Sequence, residues 1–274
     1  SVEGYEDYAA FGRRQMMDRG VAAGDALFAI TEGGETSFVI GAAWQGVDAG
    51  ARVSFIYNNP RERLADIRRS AEIIADRRVR DVCIPTGPMA ISGSTRMQAT
   101  TAEMAVAGCA LEMALDRLVR GRAGGDGLAQ AGRPLVSAAE SAESFGRLLA
   151  ALNSEENVAA LTDIVLFERD IYAARGMTTY IADSFALDLL TDTTERSPTF
   201  LAPPFRKQGD EGAAPSWFYL VLPQPNAEAA WRRMLRRDLN PIDWTQDDIA
   251  AMLGNEAARM KSMPRLDRKE ILRF

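Results

Sequence analysis

The sequence contains no histidine among its 274 residues. This absence excludes a Ser-His-Asp triad and any histidine metal ligand. Acid–base chemistry would have to come from Glu, Asp, Lys, Tyr or Cys. The chain has only two cysteines, Cys83 and Cys109, which both lie among apolar residues, and no ligand spacing indicates a metal site. We therefore expect reduced cysteines, a cytoplasmic location and no bound metal.

Long apolar runs and excess positive charge are also absent. No uninterrupted apolar segment is long enough to cross a bilayer, so no membrane partner is expected. The formal net charge of -6 disfavours a nucleic-acid partner. With 47% hydrophobic and 26% charged residues, the chain has a globular composition and is long enough for one large or two medium domains.

The first part of the chain alternates between apolar strands and helical patterns. "ALFAIT" is a predicted strand, residues 36–49 a helix, and the further strands and helices follow in turn at "ARVSFIYNNP", 61–77, "VRDVCIP" and 96–120. Such alternation predicts a parallel sheet with right-handed crossovers. Because the strands are continuously apolar, both sheet faces should be covered, which gives an α/β, three-layer αβα, doubly wound fold.

The join between the first strand and the first following helix has an unusual composition, "TEGGETS" (31–37). Gly33 and Gly34 carry no side chain where the backbone must turn. Thr36 and Ser37 sit at the helix N-terminus, where free N–H groups and the helix dipole favour an anion such as phosphate. On these residues alone, an ordinary Thr or Ser helix cap is the slightly better interpretation.

A second hydroxyl-rich loop, "TGPMAISGSTR" (86–96), changes that balance. It follows another strand and supplies Ser92, Ser94 and Thr95. Loops at the carboxyl ends of parallel strands converge on one crevice. Neither a GxGxxG nor a GxxxxGK[ST] pattern is present, so a small phosphorylated molecule is a better candidate ligand than a nucleotide.

Several motifs in order resemble one family. "VEGYED" (2–7), "ITEGGETSFVIGA" (30–42), "NNP" (58–60) and "TGPMAISGSTRMQATTAE" (86–103) are similar to the patterns "VEGAED", "ASGRTPYV", "CNP" and "TGSTRLKAGTAQ". These occur in the sugar isomerase (SIS) domain of N-acetylmuramic acid 6-phosphate etherases and of the glucokinase regulatory protein. The resemblance covers about the first 120 residues. It implies a sugar-phosphate ligand, usually a homodimer, and no cofactor.

The same resemblance suggests roles for individual residues. In the etherases a glutamate acts as acid or base while D-lactate is eliminated from the sugar, and water then adds. The second glutamate of the first motif falls on Glu6. A further family motif, "ASExPPT", places a glutamate on Glu195 within "TTERSPTF". The phosphate-binding positions fall on the two loops, at Gly33, Gly34, Thr36, Ser37, Ser92, Ser94 and Thr95.

Departures from the family patterns leave two functions open. The family's Ser and Arg are replaced here by Gly33 and Glu35, and a Lys by Gln98. These changes favour a regulatory or sensor-like protein that binds an amino-sugar or hexose phosphate, with a sugar kinase as a possible partner. The alternative is an etherase-like carbon–oxygen lyase that uses Glu6 and Glu195.

The order of the motifs also predicts a tandem arrangement. "TTYIADSFALDLLTDTTERSPTF" (178–200) resembles the earlier half of a SIS domain, although it follows the later half in this chain. We expect the C-terminal part of one SIS domain at 1–120, a Gly-rich linker at 121–135, and a second, partial SIS-like region with helices at 136–274. The chain would then be a segment of a longer two-domain protein, with tandem SIS pairing as an alternative to a homodimer.

Overall fold

The computed structural model of the protein describes residues 5–91, 94–123, 137–183, 185–193, 206, 208–259 and 267–273. Its first part alternates between helices and strands, in the order α1 (Ala9–Asp18), β1 (Ala26–Ile30), α2 (Ser37–Asp48), β2 (Arg52–Tyr57), α3 (Arg61–Leu64), α4 (Arg68–Ala75) and β3 (Val79–Cys83). A π-helix (Arg96–Thr100) leads into three long helices, α5 (Thr101–Ala123), α6 (Ala138–Leu152) and α7 (Glu155–Ala173).

The last part of the chain returns to mixed structure. Its elements are β4 (Thr178–Ile181), α8 (Ala186–Thr193), β5 (Phe218–Val221), α9 (Ala227–Leu235), α10 (Gln246–Leu253), a 3-10 helix (Gly254–Arg259) and α11 (Arg268–Ile271). None of the helices in the described ranges combines the length and apolarity that a membrane span requires.

The described strands form two parallel sheets. One sheet has the order β1-β2-β3, with Phe28 opposite Ser54 and Ile56 opposite Val82. The other pairs β4 with β5. Parallel strands joined through helices confirm the predicted α/β fold. The three-layer SIS arrangement stays a prediction.

The main core lies on one face of the three-stranded sheet. Apolar residues of β1, β2 and β3 pack there with α2 and with the buried sides of α3 and α4, and its members include Val53, Phe55, Tyr57, Leu64 and Ile73. Burial on this scale is the dominant favourable term in folding. Because the three strands are parallel, their carboxyl ends all lie at one edge of the sheet.

A second cluster of buried side chains joins distant parts of the sequence. Tyr5, Phe11 and Phe38 pack with Ile249 and Leu253 of α10. The approach of α1 to α2 is unusually close, because a Cβ on Gly12 would lie 1.8 Å from the Phe38 carbonyl oxygen and one on Gly41 would lie 2.0 Å from that of Ala9. Any larger residue at either glycine would push α1 away from α2.

The predicted helix over 61–77 is interrupted in the structure. It forms α3 and α4, and Ile67 between them has an extended backbone, with φ -99° and ψ 96°. The break lies where two buried side chains, Leu64 and Ser70, meet the turn after β1. Tertiary contacts have overridden a locally helical pattern at this point.

The chain contains two compact units, residues 1–99 with 177–274, and residues 100–176. Helix α5 continues to Ala123, and positions 124–135 of the predicted linker lie outside the described residues. The division into two SIS-like regions therefore stays a prediction.

Candidate functional site

The loop between β1 and α2, residues 31–37, is held by hydrogen bonds to its carbonyl oxygens. The Thr31 carbonyl accepts from the Gly34 N–H at 3.0 Å, which closes the turn. Outside donors reach the next four carbonyls: the Asn58 N–H donates to Glu32 at 3.0 Å, Asn59 Nδ2 to Gly33 at 3.0 Å, Ser70 Oγ to Gly34 at 2.8 Å and Arg69 Nε to Glu35 at 2.7 Å. The loop is therefore rigidly oriented by β2 and α4.

The backbone N–H groups of the same loop differ from its carbonyls, because several of them have no acceptor within the described ranges. Within the described ranges, no acceptor lies in hydrogen-bond range of the backbone N–H groups of Gly33, Glu35, Thr36 and Ser37. All four residues are half-buried and lie at or just before the N-terminus of α2. Free N–H groups and the helix dipole together make such a position favourable for an anion.

Thr36 does not cap the helix with its side chain. It occupies the N-cap position, but its hydroxyl makes no capping bond. Instead Thr36 Oγ1 lies 2.9 Å from Oγ1 of the buried Thr31. The interpretation of this residue as an ordinary hydroxyl cap is therefore wrong, and the helix end remains available.

The two glycines of the loop have different roles. Gly34 has φ +76°, and a Cβ there would lie 2.6 Å from Leu64 Cδ1 and 3.4 Å from the Tyr57 side chain. Gly33 does not have a left-handed φ, and among the described residues its Cβ would meet Asn59 Nδ2 alone, at 4.0 Å. Gly34 is thus required by the turn, whereas the position of Gly33 has room for a serine such as the one in the family pattern.

Glu6 lies beside the same helix end. Its backbone carbonyl accepts a 2.9 Å hydrogen bond from the Phe38 N–H, which belongs to the first turn of α2. Its neighbour Tyr5 is held in the aromatic cluster, with ring centroids 5.2 Å from Phe11 and 6.2 Å from Trp244. The structure therefore brings the backbone of Glu6 together with Thr36 and Ser37.

Glu35 is not a bare negative charge at the loop. Its backbone carbonyl accepts from Arg69 Nε, and its carboxylate lies 3.8 Å from Arg69 Nη2. Both side chains are about half exposed, so the pair contributes little to stability. It nevertheless places a guanidinium beside the loop, a feature that local sequence patterns did not reveal because Arg69 lies 34 positions further along the chain.

The loop after β3 is organised by Gln98. Its Nε2 donates to the Thr86 carbonyl at 3.4 Å and to the Pro88 carbonyl at 3.2 Å, and its Oε1 accepts from the Ala90 N–H. Asn58 ties the start of this loop to β2, since its Nδ2 donates to the Ile84 carbonyl at 3.0 Å. Gln98 thus has a structural role where the family pattern has a lysine.

Two of the predicted hydroxyls of this loop are described. Ser94 is buried and Thr95 is half-buried, just before the π-helix. No hydrogen bond between the described residues joins either one to the 31–37 loop. The buried oxygens without a hydrogen-bond partner in the described ranges include Asn58 Oδ1, directly after β2, and Thr86 Oγ1 and Ser94 Oγ, which follow β3 in the chain. Such atoms are costly unless a polar ligand or water satisfies them.

Two predicted site residues cannot be placed. Ser92 and Glu195 both lie outside the described residues. The sequence pattern also missed Asn58, Asn59 and Ser70 as loop-holding residues. The match of "NNP" to the family's "CNP" assigned these asparagines no role, although an amide side chain directly after a strand can donate to a neighbouring loop.

Comparison with known proteins gives one consistent class of relatives. The chain is similar to an N-acetylmuramic acid 6-phosphate etherase of Deinococcus radiodurans, with 38% identity over 103 residues, which is 38% of this chain and 30% of the relative. Etherases of Clostridioides difficile (32% over 106 residues; 39% and 32%) and Salinibacter ruber (34% over 119 residues; 43% and 35%) are also similar. The chain spans about a third of the length of these curated relatives. No family model matches it.

Proposed function

We propose that the 31–37 loop binds the phosphate group of a phosphorylated amino sugar. The observation that carries this proposal is the orientation of the loop, with its carbonyls bonded to protein donors and four neighbouring N–H groups left without an acceptor in the described ranges. An anion at this place would receive several N–H donors and the positive end of the α2 dipole. The guanidinium of Arg69 lies beside the loop, where it pairs with the Glu35 carboxylate and offsets its negative charge.

We propose further that the full-length protein is an etherase-like lyase that releases D-lactate from N-acetylmuramic acid 6-phosphate. The curated relatives carry this name, which supports the lyase over the regulatory interpretation that the sequence departures favoured. An elimination needs a base that removes a proton from the sugar and an acid that protonates the leaving oxygen. Glu6, whose backbone is bonded to the first turn of α2, is the proposed acid–base residue. Glu195 remains a second candidate.

The test is release of D-lactate from N-acetylmuramic acid 6-phosphate by the full-length protein, measured with a coupled lactate assay. Glu6→Gln should lower kcat by roughly a hundredfold or more, the usual contribution of a positioned acid or base. Asp7→Asn is the matched control because it neutralises the neighbouring, exposed carboxylate and should leave the rate unchanged. Equal rates in both variants would exclude a catalytic role for Glu6.

A sensor function remains the second proposal, because Gly33 adds no hydroxyl and Gln98 adds no cation to the site. In that case N-acetylglucosamine 6-phosphate should raise the melting temperature while no lactate is formed from the etherase substrate. Both proposals place phosphate on the same loop. A melting temperature that no sugar phosphate changes would therefore contradict both, whereas a shift without turnover would contradict only the lyase. A homodimer and a sugar-kinase partner stay predictions.

A further inference from the structure

A cavity of about 380 Å³ lies in the C-terminal part of the chain, and its described lining includes no residue of the loops of the three-stranded sheet. It is bounded by β5 and the segment that follows it, by α9, by one residue of α8 and by Arg206. Its volume falls within the range of small-molecule sites. It also lies where the chain leaves the carboxyl end of a parallel strand, the usual place for ligands in α/β structures.

The walls of the cavity are mainly apolar. Both helices, β5 and the segment that follows it contribute apolar residues, which include Leu190, Leu220, Leu222, Ala230, Trp231 and Met234. Of the two lining amides, that of Asn226 is occupied, because its Oδ1 accepts from the Ala229 N–H at 2.9 Å as the cap of α9. Such walls favour an apolar ligand body and offer few partners to the hydroxyls of a sugar.

Among the described residues of the lining, Arg206 is the one that carries a charge, and none of them is an aspartate or glutamate. Its backbone is fixed by a 2.7 Å hydrogen bond from its N–H to Oγ of the buried Ser216. Its Nε donates to the Asp210 carbonyl at 2.7 Å. The guanidinium is thereby oriented, while its two terminal nitrogens make no ion pair within the described ranges.

The neighbouring arginines on α9 differ from Arg206 in this respect. Arg232 forms an ion pair with Asp238 at 2.7 Å, and Arg233 pairs with Asp183. Their charges are therefore balanced locally. Arg206, in contrast, lines an apolar cavity and has no counter-ion within the part of the chain that the structure describes. An unbalanced cation next to low-polarity walls attracts a single negative charge.

We propose that this cavity binds an organic monoanion with an apolar body, such as an aromatic or branched-chain carboxylate. The carboxylate accepts hydrogen bonds from the terminal nitrogens of Arg206, in the forked geometry that guanidinium groups favour. The apolar body packs against Trp231 and the leucines of the wall. This site is independent of the phosphate loop and does not rest on the function proposed above.

The proposal is tested with phenylacetate and 4-methylpentanoate as probes, by ligand-observed NMR titration of the full chain. Phenylacetate should bind at millimolar concentration or better, and Arg206→Gln should weaken it by about tenfold or more, the usual effect of losing a charge-assisted hydrogen bond. Arg237→Gln is the matched control. Arg237 is exposed and, like Arg206, donates to a backbone carbonyl, that of Asp238 at 2.9 Å, but it does not line the cavity.

A second comparison does not depend on the folding of any variant. The neutral analogue phenylacetamide should bind the unaltered chain about tenfold more weakly than phenylacetate. N-acetylglucosamine 6-phosphate should not displace phenylacetate, because it belongs to the other site. The proposal is overturned if neither carboxylate binds, if phenylacetamide binds as well as phenylacetate, or if the two arginine variants lose the same affinity.

Discussion

Replacement of Gly34 by alanine tests how the candidate phosphate loop is held. Gly34 has φ +76°, a conformation that side chains rarely adopt, and its Cβ would lie 2.6 Å from Leu64 Cδ1. Leu64 is completely buried and Tyr57 closes the other side at 3.4 Å, so neither neighbour has space to retreat. Alanine would therefore force the turn to open or the core beneath it to shift.

The expected cost has two parts. The left-handed backbone costs a non-glycine residue roughly 1–2 kcal/mol. Insertion of a methyl group into a well-packed core costs roughly another 1–3 kcal/mol. The free energy of unfolding should thus fall by about 2–5 kcal/mol, a large fraction of the roughly 5–15 kcal/mol that stabilises a natural domain.

The assay is urea unfolding of Gly34→Ala followed by far-UV circular dichroism, with Gly33→Ala as the matched control. At Gly33 the added Cβ meets its nearest atom, Asn59 Nδ2, at 4.0 Å, so the change should stay within about 0.5 kcal/mol. Affinity for a sugar phosphate should fall in Gly34→Ala and persist in Gly33→Ala. Equal unfolding midpoints for the two variants would refute the reasoning, because both differ from the parent by one methyl group in adjacent positions.

Three further predictions concern side chains whose hydrogen bonds hold the two loops or the Trp244 indole. Ser70→Ala removes a buried donor from the Gly34 carbonyl and should lower the free energy of unfolding by about 1–3 kcal/mol in urea titrations; an unchanged midpoint would contradict this. Gln98→Leu removes three loop hydrogen bonds and should speed amide exchange at residues 86–91 while the melting temperature falls little; unchanged exchange would exclude the anchoring role. Burial alone would raise the pKa of Asp18, but hydrogen bonds from the Trp244 indole and from Arg14 outweigh it and lower the pKa. This contribution is present above the unfolded pKa and is lost as pH falls below about 4. Asp18→Asn should therefore reduce the gap between melting temperatures at pH 6 and pH 3. The corresponding change in the free energy of unfolding should be less than about 1 kcal/mol because the side chain is partly exposed.

The alternation of strands and helices was predictable because it depends on local pattern. Continuous apolar runs marked β1 and β2, and the glycine pair marked the turn that follows β1. The requirement for glycine specifically at Gly34 was not predictable, since it depends on Leu64, which lies 30 positions later. The break between α3 and α4 escaped prediction for the same reason. It is set by contacts with the loop and not by a helix-breaking residue.

The candidate site was also predictable only where it depends on local sequence, and not where it depends on contacts between distant residues. The local pattern placed Thr36 at the start of a helix, and the structure has it at the N-cap of α2, where the Glu6 carbonyl also bonds to the first turn. It could not show that the Thr36 hydroxyl bonds to Thr31, or that Gln98 holds the second loop. Side-chain hydrogen bonds between residues far apart in the chain depend on the folded geometry, and a residue type alone does not reveal which of its possible partners it meets.

The departures from the family pattern therefore carry less weight than the sequence alone gives them. Gly33 and Glu35 replace a serine and an arginine, but the proposed phosphate donors of this loop are backbone N–H groups, which every residue other than proline retains. What the loop needs is an orientation of its carbonyls towards Asn59, Ser70 and Arg69, and all three contacts are present. Loss of one side-chain hydroxyl should weaken a phosphate contact by about one hydrogen bond, whereas loss of the loop geometry would remove several at once.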